Sequence, residues 1–364
     1  MGAARPYADS RPLSIETIAL DPPGPGEVLV AIKAAGLCHS DLSVINGDRP
    51  RPMPMALGHE AAGVVEALGE GVTDLAVGDH VAMVFMPSCG HCSPCAEGRP
   101  ALCEPGAAAN GRGELLGGGR RLRGSEGQLN HHLGCSAFAD RAVVSRRSLV
   151  RIDPELSFEE AALFGCAVLT GVGAVVNTAQ VRAGQSVVVV GLGGVGLASV
   201  LGALASGASP VVAVDLSEDK LALARTLGPV RTVNAADPDA VDQVRALTNG
   251  GADVAIEMAG SVRALEAAWK MTRRGGLTVT AGLPPPEAAL AVNVVSLVGE
   301  ERTLKGSYIG TCVPSRDIPR YVALYRQGRL PVDRLMSGTI PLDQINEGFD
   351  RLHAGEVVRL VVTF

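Results

Sequence analysis

The sequence predicts an α/β protein that has a doubly wound parallel sheet in its second half and a β-rich region before it. Of its 364 residues, 47% are apolar and only 3% are aromatic, so the core must be aliphatic, as in a sheet buried on both faces. After about Val181, bare apolar runs alternate with helical stretches of 10–15 residues. The length is sufficient for two domains.

The first region contains short β-like runs bounded by Gly and Pro. A strand over 26–36 ends at a turn, and shorter runs follow at 63–68, 80–85 and 139–144. Residues 105–130 are rich in Gly and Arg and show no periodicity. We therefore expect a long surface or functional loop over 105–130.

The second region alternates strands and helices. We expect strands at 186–190, 211–214, near Thr232, at 253–257 and at 277–281, with helices to Ser206, over 217–227, near Val241 and over 262–271. The C-terminal stretch over 318–364 contains a helix, a turn and a final strand. Because chain ends often lie close together, this strand is expected to rejoin the first domain.

The charge pattern argues against nucleic-acid and membrane partners. The net charge is −6 with both signs interspersed. No apolar stretch reaches the ~18 residues of a membrane helix, and the first 13 residues lack the apolar run of a signal peptide. We expect a cytoplasmic protein with a small-molecule substrate. In that reducing compartment clustered cysteines indicate metal binding rather than disulfides.

A glycine-rich turn predicts a dinucleotide site. Gly191, Gly193 and Gly196 satisfy G-x-G-x-x-G directly after a strand and at the start of a helix. The three glycines allow a tight turn, close approach of the pyrophosphate and packing of helix on strand, and the helix N-terminus offers free N–H groups. Asp215 ends the next strand, where a carboxylate binds the ribose diol and repels the 2′-phosphate of NADP, so NAD is preferred. The alternative is a plain turn followed by a helix-capping Asp. The other residues of this turn that we expect to bind the cofactor are Gly194 and Val195.

Four cysteines predict a structural metal site. The run Cys89-Gly-His-Cys92-Ser-Pro-Cys95 is followed by Cys103 eight residues later. Four thiolates suit zinc, and such a closed site leaves no position for a substrate, so its role is structural. An iron–sulfur cluster is the competing interpretation. His91 lies inside the knuckle and is interpreted as a solvated loop residue.

Three distant segments contain further candidate ligands. They are Cys38-His39-Ser40-Asp41, Gly58-His59-Glu60, and Cys166 after Ala-Leu-Phe-Gly. No short spacing links them, and buried inert thiols with a core histidine would explain them equally well. Considered alone, these residues leave both interpretations open.

In combination, these motifs resemble the zinc-containing medium-chain dehydrogenases over about 13–364. The closing Ile-Asn-Glu-Gly-Phe-Asp (345–350) and Val-Val-Arg (357–359) match as well. The resemblance is closest to the long-loop, class III-like alcohol and formaldehyde dehydrogenases, because His131-His132-Leu-Gly precedes a Ser-Ala-Phe segment. It implies a GroES-like β-rich catalytic domain from 1–180 and 318–364 and a Rossmann NAD-binding domain over 181–317. It also implies a homodimer through sheet edges around 290–310, or a homotetramer.

The resemblance assigns roles to individual residues. Cys38, His59 and Cys166 are implied as ligands of a catalytic zinc with one open position, where the metal acts as a Lewis acid on an alcohol oxygen. Ser40 is implied to hydrogen-bond the alcohol, Asp41 to orient His59, and Glu60 to lie near the metal. Positions that match cofactor contacts are His39, Thr170, Lys220 and Arg359. Positions that match the substrate pocket are Arg49, Phe85, Leu133, Leu283 and Tyr308.

One position departs from the family pattern. Ser43 stands where well-studied members have a histidine that carries the proton to solvent, and serine is no base near neutral pH.

The implied activity is NAD-linked oxidation of primary or aromatic alcohols. The alternative is a thiol-dependent formaldehyde dehydrogenase, using glutathione or mycothiol, which the 105–130 loop and Arg49 suggest. A non-catalytic relative is disfavoured because all three ligands are present. Residues expected to be solvated are Arg49 and, as an alternative to a ribose contact, Lys220. Residues expected in the core are Cys135 and Cys312, and those expected at the surface are His80 and His353.

Overall fold

The computed structural model describes residues 2–5, 12–125 and 127–364. The strands in chain order are β1 (Gly2–Arg5), β2 (Ser14–Thr17), β3 (Ala19–Leu20), β4 (Glu27–Gly36), β5 (Met55–Ala56), β6 (Ala61–Leu68), β7 (His80–Met83), β8 (Leu122–Gly124), β9 (Gly127–His131), β10 (Arg141–Ser145), β11 (Leu149–Arg151), β12 (Val187–Val190), β13 (Val211–Asp215), β14 (Val230–Asn234), β15 (Ala252–Glu257), β16 (Thr272–Thr280), β17 (Thr303–Gly306), β18 (Gly338–Pro341) and β19 (Leu360–Thr363).

The α-helices in chain order are α1 (His39–Ile45), α2 (Ser93–Ala96), α3 (Glu104–Arg112), α4 (Phe158–Phe164), α5 (Ala167–Gly173), α6 (Gly194–Ala205), α7 (Glu218–Thr226), α8 (Ala240–Leu247), α9 (Val262–Met271), α10 (Val294–Gly299), α11 (Pro314–Arg326) and α12 (Ile345–His353). A π-helical segment, Ala174–Ala179, continues α5. Single 3-10 turns lie at Pro100–Leu102, Arg146–Ser148, Ile309–Thr311, Val332–Leu335 and Leu342–Gln344.

The first of two compact units contains both ends of the chain. It comprises the residues up to Cys166 together with Val313–Arg320 and Met336–Phe364. Its main sheet has the order β11-β7-β6-β4-β19-β18, and β10 also pairs with β4. The final strand β19 pairs antiparallel with β4, with Val361 opposite Gly36. The prediction that the C-terminal strand rejoins the first domain is therefore confirmed.

The second unit is a parallel sheet with intervening helices. It comprises Ala167–Cys312 and Tyr321–Leu335, and its strands follow the order β14-β13-β12-β15-β16-β17 with every pair parallel. Because β12 is the first of these six strands along the chain, this is the 3-2-1-4-5-6 order of a Rossmann fold. The Val-rich strands β12 and β13 lie in the interior of this sheet, and their side chains are almost completely buried. The fold class is the one that the sequence predicts.

The observed division of the chain lies earlier than the predicted boundary at residue 180. Residues 167–179 belong to the second unit because they pack on α6. A Cβ on Gly171 would overlap the Val195 carbonyl oxygen, and Ser199 Oγ donates to Gly171 O at 3.1 Å. Near the C-terminus the second unit also includes residues 321–335, which the prediction placed in the first domain. The mostly apolar sequence at 167–175 gave no signal for this boundary.

The prediction of a long loop over 105–130 is wrong. The structure has α3 at Glu104–Arg112 and the hairpin strands β8 and β9 in this segment. The helix begins with Cys103, whose Sγ accepts from the Gly106 N–H, and ends at Gly113, which adopts φ +66°. These caps satisfy the terminal groups of a helix that has little apolar periodicity of its own.

Within the described residues, no single helix is both long and apolar enough to cross a membrane. The bent pair Phe158–Phe164 and Ala167–Ala179 meets the length and composition requirement only jointly, and most of its side chains are buried inside the protein.

Candidate metal centres and dinucleotide site

Three buried side chains from distant segments converge in the first unit. Cys38 lies at the N-terminus of α1, His59 lies two residues before β6, and Cys166 follows α4. Their Sγ and ring-nitrogen atoms all lie within 4.8 Å of one another, and Cys166 Sγ is 3.4 Å from His59 Nε2. Two thiols and one imidazole at this spacing can coordinate one metal ion.

Gly58 and Asp41 fix the orientation of His59. Gly58 has φ +96°, and a Cβ there would lie 2.5 Å from the Phe138 backbone nitrogen, so the turn requires glycine. Asp41 Oδ1 accepts from the Gly58 N–H at 3.2 Å and lies 3.1 Å from His59 Nδ1. With Nδ1–H donating to Asp41, the lone pair of the neutral ring is on Nε2, the atom that faces Cys166.

The electrostatics of this cluster favour a bound cation. The hydrogen bond from the Cys166 thiol lowers the pKa of Cys38 well below its usual value despite burial, and Arg359 acts in the same direction. The same hydrogen bond, together with burial, raises the pKa of Cys166. Burial opposes protonation of His59, but Asp41 and Cys38 hold its pKa well above the usual value. A second thiolate beside the first requires a positive ion, and the sulfur and nitrogen donors fit zinc.

The four predicted cysteines of the knuckle form a second cluster. Their Sγ atoms also lie within 4.8 Å of one another; the members are Cys89, Cys92, Cys95 and Cys103. Backbone N–H groups support the sulfurs: Cys103 Sγ accepts from Cys89 N–H at 3.1 Å and Gly106 N–H at 3.4 Å. The His91 N–H bond lowers the pKa of Cys89 to about 6. Four sulfurs at one point, some held by backbone donors, fit a closed zinc site. All eight cysteines lie in the described residues and are free thiols.

The glycine-rich turn connects β12 to α6 as the motif requires. Gly191 has φ +91°, and a Cβ there would lie 2.6 Å from the Ala259 backbone nitrogen. A Cβ on Gly193 would contact nothing within 4 Å, which leaves the space open for a ligand. A Cβ on Gly196 would overlap the Gly191 carbonyl oxygen. The first and third glycines therefore serve the fold, whereas the second leaves room for a phosphate.

Asp215 ends β13 beside this turn. Its Oδ2 accepts from the Leu192 N–H at 2.7 Å and its Oδ1 from the Ser217 N–H at 2.9 Å. The carboxylate is thereby held in one orientation at the edge of a cavity of about 460 Å³. Other side chains that line this cavity are Leu216, Asp237, Arg263 and Lys270.

Comparison with known proteins identifies the family. Residues 24–154 match the alcohol dehydrogenase GroES-like domain, and residues 194–327 match the zinc-binding dehydrogenase family. A Mycobacterium tuberculosis (strain CDC 1551 / Oshkosh) relative that bears the name alcohol dehydrogenase D is 40% identical over 99% of this chain and 98% of its own. The chain belongs to the zinc-containing medium-chain alcohol dehydrogenases.

Solved structures of the same family share the whole fold. Benzyl alcohol dehydrogenase from Acinetobacter calcoaceticus has a TM-score of 0.95 and 32% identity, with 100% of this chain and 99% of that chain covered. A zinc-binding dehydrogenase from Sinorhizobium meliloti 1021, solved with NADP bound, has a TM-score of 0.81, 27% identity and coverage of 100% and 99%. As an alcohol dehydrogenase, the chain uses zinc and a nicotinamide dinucleotide, and NAD is typical of the family.

Several predicted residues of this alcohol dehydrogenase surround the three-ligand cluster. Glu60 is completely buried; burial raises its pKa to about 7, opposed by Arg359, whose Nη1 lies 3.5 Å from Glu60 Oε2. Arg359 also donates to Leu37 O at 2.7 Å. The Phe85 ring packs edge-on against His59, with centroids 5.3 Å apart. Leu133 is buried and has φ +52°.

The remaining predicted contacts lie in varied surroundings, and their roles stay predictions. In the first unit His39 is exposed, whereas Ser40 and Arg49 are half-buried. In the second unit Thr170 and Lys220 are half-buried, whereas Leu283 and Tyr308 are exposed. Residues that lie as expected are His91 and His353, which are exposed, and Cys135 and Cys312, which are buried. The prediction that His80 is a surface residue is corrected: His80 is half-buried, because its ring packs on that of Phe158 with the ring centroids 4.6 Å apart.

Two buried residues near these sites were not assigned a role from the sequence. His132 is buried, with Nδ1 3.1 Å from Asp41 Oδ1; the only sequence signal was the His131-His132 pair. Glu257 ends β15 and accepts from Gly260 N–H and Thr280 Oγ–H, each at 2.6 Å. An acidic residue at the end of a buried strand was the available signal for Glu257, which fixes the turn that follows β15.

Proposed function

We propose that this alcohol dehydrogenase oxidises primary or aromatic alcohols with NAD and reduces the corresponding aldehydes. The buried cluster of Cys38, His59 and Cys166 carries this proposal, because it offers three protein donors, as catalytic zinc sites do. The Phe85 ring beside His59 and the likeness to a benzyl alcohol dehydrogenase support an aromatic substrate.

The residues around the cluster have separate tasks in this reaction. When bound, zinc supplies the Lewis acidity that lowers the pKa of the substrate hydroxyl, and NAD supplies the hydride acceptor. We assign Ser40, half-buried on α1, the hydrogen bond to that hydroxyl and the first transfer of its proton. Asp41 keeps Nε2 of His59 directed at the metal position. Glu60 and Arg359 balance each other's charge in the buried surroundings.

The proposed cofactor preference is for NAD over NADP. Asp215 is held by two backbone N–H groups, so its negative charge cannot easily turn away from a ribose in the adjacent cavity. A 2′-phosphate placed beside this carboxylate would be repelled. One relative was solved with NADP bound, so NADP must be compared with NAD directly. The test of the preference is to measure kcat/KM for both cofactors with one alcohol. A ratio in favour of NADP would contradict the role of Asp215.

The thiol-dependent formaldehyde dehydrogenase is the second candidate. One of its two supports is removed, because α3 and the β8–β9 hairpin occupy the segment expected to be a long loop. The other support remains: Arg49 is half-buried in the segment that follows α1 and could receive an acidic thiol adduct.

A substrate panel separates the two candidates. NADH formation is followed with benzyl alcohol, simple primary alcohols, and formaldehyde with and without glutathione or mycothiol. We expect turnover of benzyl or simple primary alcohols without any thiol. Activity that requires formaldehyde together with a thiol would establish the second candidate, and R49A would then raise the KM for the adduct.

We further propose that the chain forms a homodimer through the edge of the parallel sheet. The strand β17 is the last in the sheet order and all four of its residues are exposed. The helix that precedes β17 in the chain, α10, exposes three valines, with exposures of 68%, 80% and 70% for Val294, Val295 and Val298. Such a patch is typical of an interface. Light scattering should give the mass of a dimer or tetramer, and V295D should reduce it to that of one chain.

A reducing compartment is consistent with this function. Both cysteine clusters consist of free thiols, which bind zinc only when they are not oxidised. We therefore propose that the protein acts in the cytoplasm, and fractionation of cells that express it would test this.

A further inference from the structure

His132 lies in the loop after β9 and packs beside His59 of the three-ligand cluster. Its side chain is 1% exposed, and its Nδ1 lies 3.1 Å from Asp41 Oδ1. The ring packs edge-on against His59, with centroids 5.5 Å apart and planes at 85°. His132 therefore contacts both the ligand His59 and the carboxylate that orients it.

Asp41 is shared between two imidazoles. Its Oδ1 accepts from Gly58 N–H at 3.2 Å, and both His59 Nδ1 and His132 Nδ1 lie 3.1 Å from the same oxygen. Its Oδ2 is buried and has no hydrogen-bond partner among the described residues, and His132 Nδ1 likewise makes no aligned hydrogen bond there although it lies 3.1 Å from Oδ1. The contacts that orient this carboxylate are therefore those on Oδ1, where His132 presents a buried nitrogen within donor distance. Because Asp41 sets the direction of His59, a donor on His132 also constrains the metal ligand.

A strained turn holds His132 in this position. The His132 N–H donates to Ser136 Oγ at 2.9 Å, and its carbonyl accepts from Cys135 N–H at 3.0 Å. Leu133 and Ser136 both have positive φ, 52° and 53°, which is unfavourable for residues with a side chain. Such strain persists where the surrounding structure fixes the local geometry, often at a functional site.

We propose that His132 is a positioning residue of the catalytic metal site: its Nδ1–H, held 3.1 Å from Asp41 Oδ1, donates to Asp41 when zinc is bound, so that Asp41 keeps His59 Nε2 directed at the metal. This inference rests on the proposed function, because it requires zinc at Cys38, His59 and Cys166. His132 acts through Asp41, so its removal changes how firmly the metal is held.

Two isosteric polar variants test the proposal. In H132N the side-chain amide can lie where Nδ1 lies now, whereas in H132Q it lies near the position of Nε2 and cannot donate to Asp41 in the same way. The measurement is the rate of zinc release from the purified holoenzyme to a chromogenic chelator at pH 7.5. We expect H132Q to release the catalytic zinc about 10- to 100-fold faster than the wild type. H132N should stay within about threefold of the wild-type rate.

Two references show that the effect is local. The four-cysteine site should release its zinc at the wild-type rate in every variant, which also shows that the first unit is folded. H131Q is the matched control: His131 is the neighbouring buried histidine, and its Nε2 accepts from Arg121 N–H rather than facing Asp41. H131Q should release the catalytic zinc at the wild-type rate. The absorption spectrum of the cobalt-substituted enzyme should change in H132Q and not in H132N.

Equal release rates for H132N and H132Q, or a wild-type rate in H132Q, would overturn the positioning role. Such a result would leave the proposed function intact, because the wild type would still bind zinc at the catalytic site and oxidise alcohols. A wild-type protein that releases zinc only from the four-cysteine site would overturn both proposals. The kinetic readout agrees with the positioning role if kcat falls in H132Q while the KM for NAD is unchanged.

Discussion

Ser43 occupies the position on α1 where the family resemblance leads us to expect a proton-carrying histidine. Its Oγ–H donates to the His39 carbonyl at 2.9 Å, and a serine hydroxyl does not accept a proton near neutral pH. We predict that S43H raises kcat/KM for alcohol oxidation around pH 7 and adds an ionisation near the ordinary histidine pKa of about 6.5. The pH–rate profile from pH 5.5 to 9 is the measurement. S43A is the control and should keep the wild-type profile; an identical profile for S43H would show that no relay begins here.

His131 makes the stability of the protein sensitive to acid. Burial lowers its pKa to about 3, with smaller effects of Arg120 and Arg121, against about 6.5 in an unfolded chain. Because the unfolded state binds the proton more tightly, the stability is fully present above pH 6.5 and decreases as the pH falls towards 3. Between pH 7.5 and 5 this amounts to roughly 2 kcal/mol.

H131Q removes the titrating group and keeps an acceptor near Nε2 for the Arg121 N–H. Its free energy of unfolding, measured with urea, should decrease by about 2 kcal/mol less than that of the wild type between these pH values. Parallel pH dependences for the two proteins would mean that His131 is not neutral in the folded state.

Individual residues differed in how far the sequence could predict them. The short spacing of Cys89, Cys92 and Cys95 indicated a cluster by itself. His59 and Cys166 are 107 residues apart, and only the resemblance linked them; the structure then brings them together. Beyond the His131-His132 pair, the sequence gave no indication of the role of His132, because its contact with Asp41 depends on a left-handed turn that no local pattern reveals.

The turn between β12 and α6 allows a prediction that separates folding from binding. A Cβ on Gly196 would overlap Gly191 O, whereas a Cβ on Gly193 would contact nothing within 4 Å. G196A should therefore lower the thermal midpoint of the cofactor-free protein by about 5 °C or more, since the helix must shift. G193A should leave that midpoint nearly unchanged and weaken NAD binding, because its methyl group occupies the space expected for the pyrophosphate.

Thermal unfolding and NAD titration of the two variants provide the measurements. The opposite pattern, with G193A unstable and G196A stable, would mean that the roles of the two glycines are exchanged. A G193A protein that binds NAD normally would exclude close approach of a phosphate at this position.

At the scale of elements, periodic segments were predicted well and capped segments poorly. The helix predicted over 262–271 is α9, Val262–Met271, and its neighbours differ by a few residues only. The helix α3 was missed because its stability depends on Cys103 and Gly113 at its ends rather than on an apolar face. The hairpin β8–β9 was missed because Arg121, in the chain just before β8, is anchored by Glu27, 94 residues away, with Nε and Oε2 2.7 Å apart.

At the scale of the whole molecule, the alternation of strands and helices predicted a parallel sheet with helices on both faces, and the structure confirms that every strand pair in it is parallel. The pairing of β19 with β4 was expected from the proximity of chain ends. The boundary between the units could not be predicted, because α5 and the π-helical segment after it are mostly apolar and could belong to either core. Contacts such as the hydrogen bond from Ser199 to Gly171 place this segment in the second unit.

The central claim is that Cys38, His59 and Cys166 hold the zinc at which the alcohol reacts. The most direct test is the zinc content per chain of the wild type and of C166S, combined with NADH formation from benzyl alcohol. For the wild type we predict turnover and two zinc ions per chain, one in each cluster. For C166S we predict one zinc ion per chain and no turnover. C312S, which changes a buried thiol outside both clusters, should keep both zinc ions and turnover. Unchanged turnover in C166S, or turnover by a wild type with a single zinc ion in the four-cysteine site, would contradict the claim.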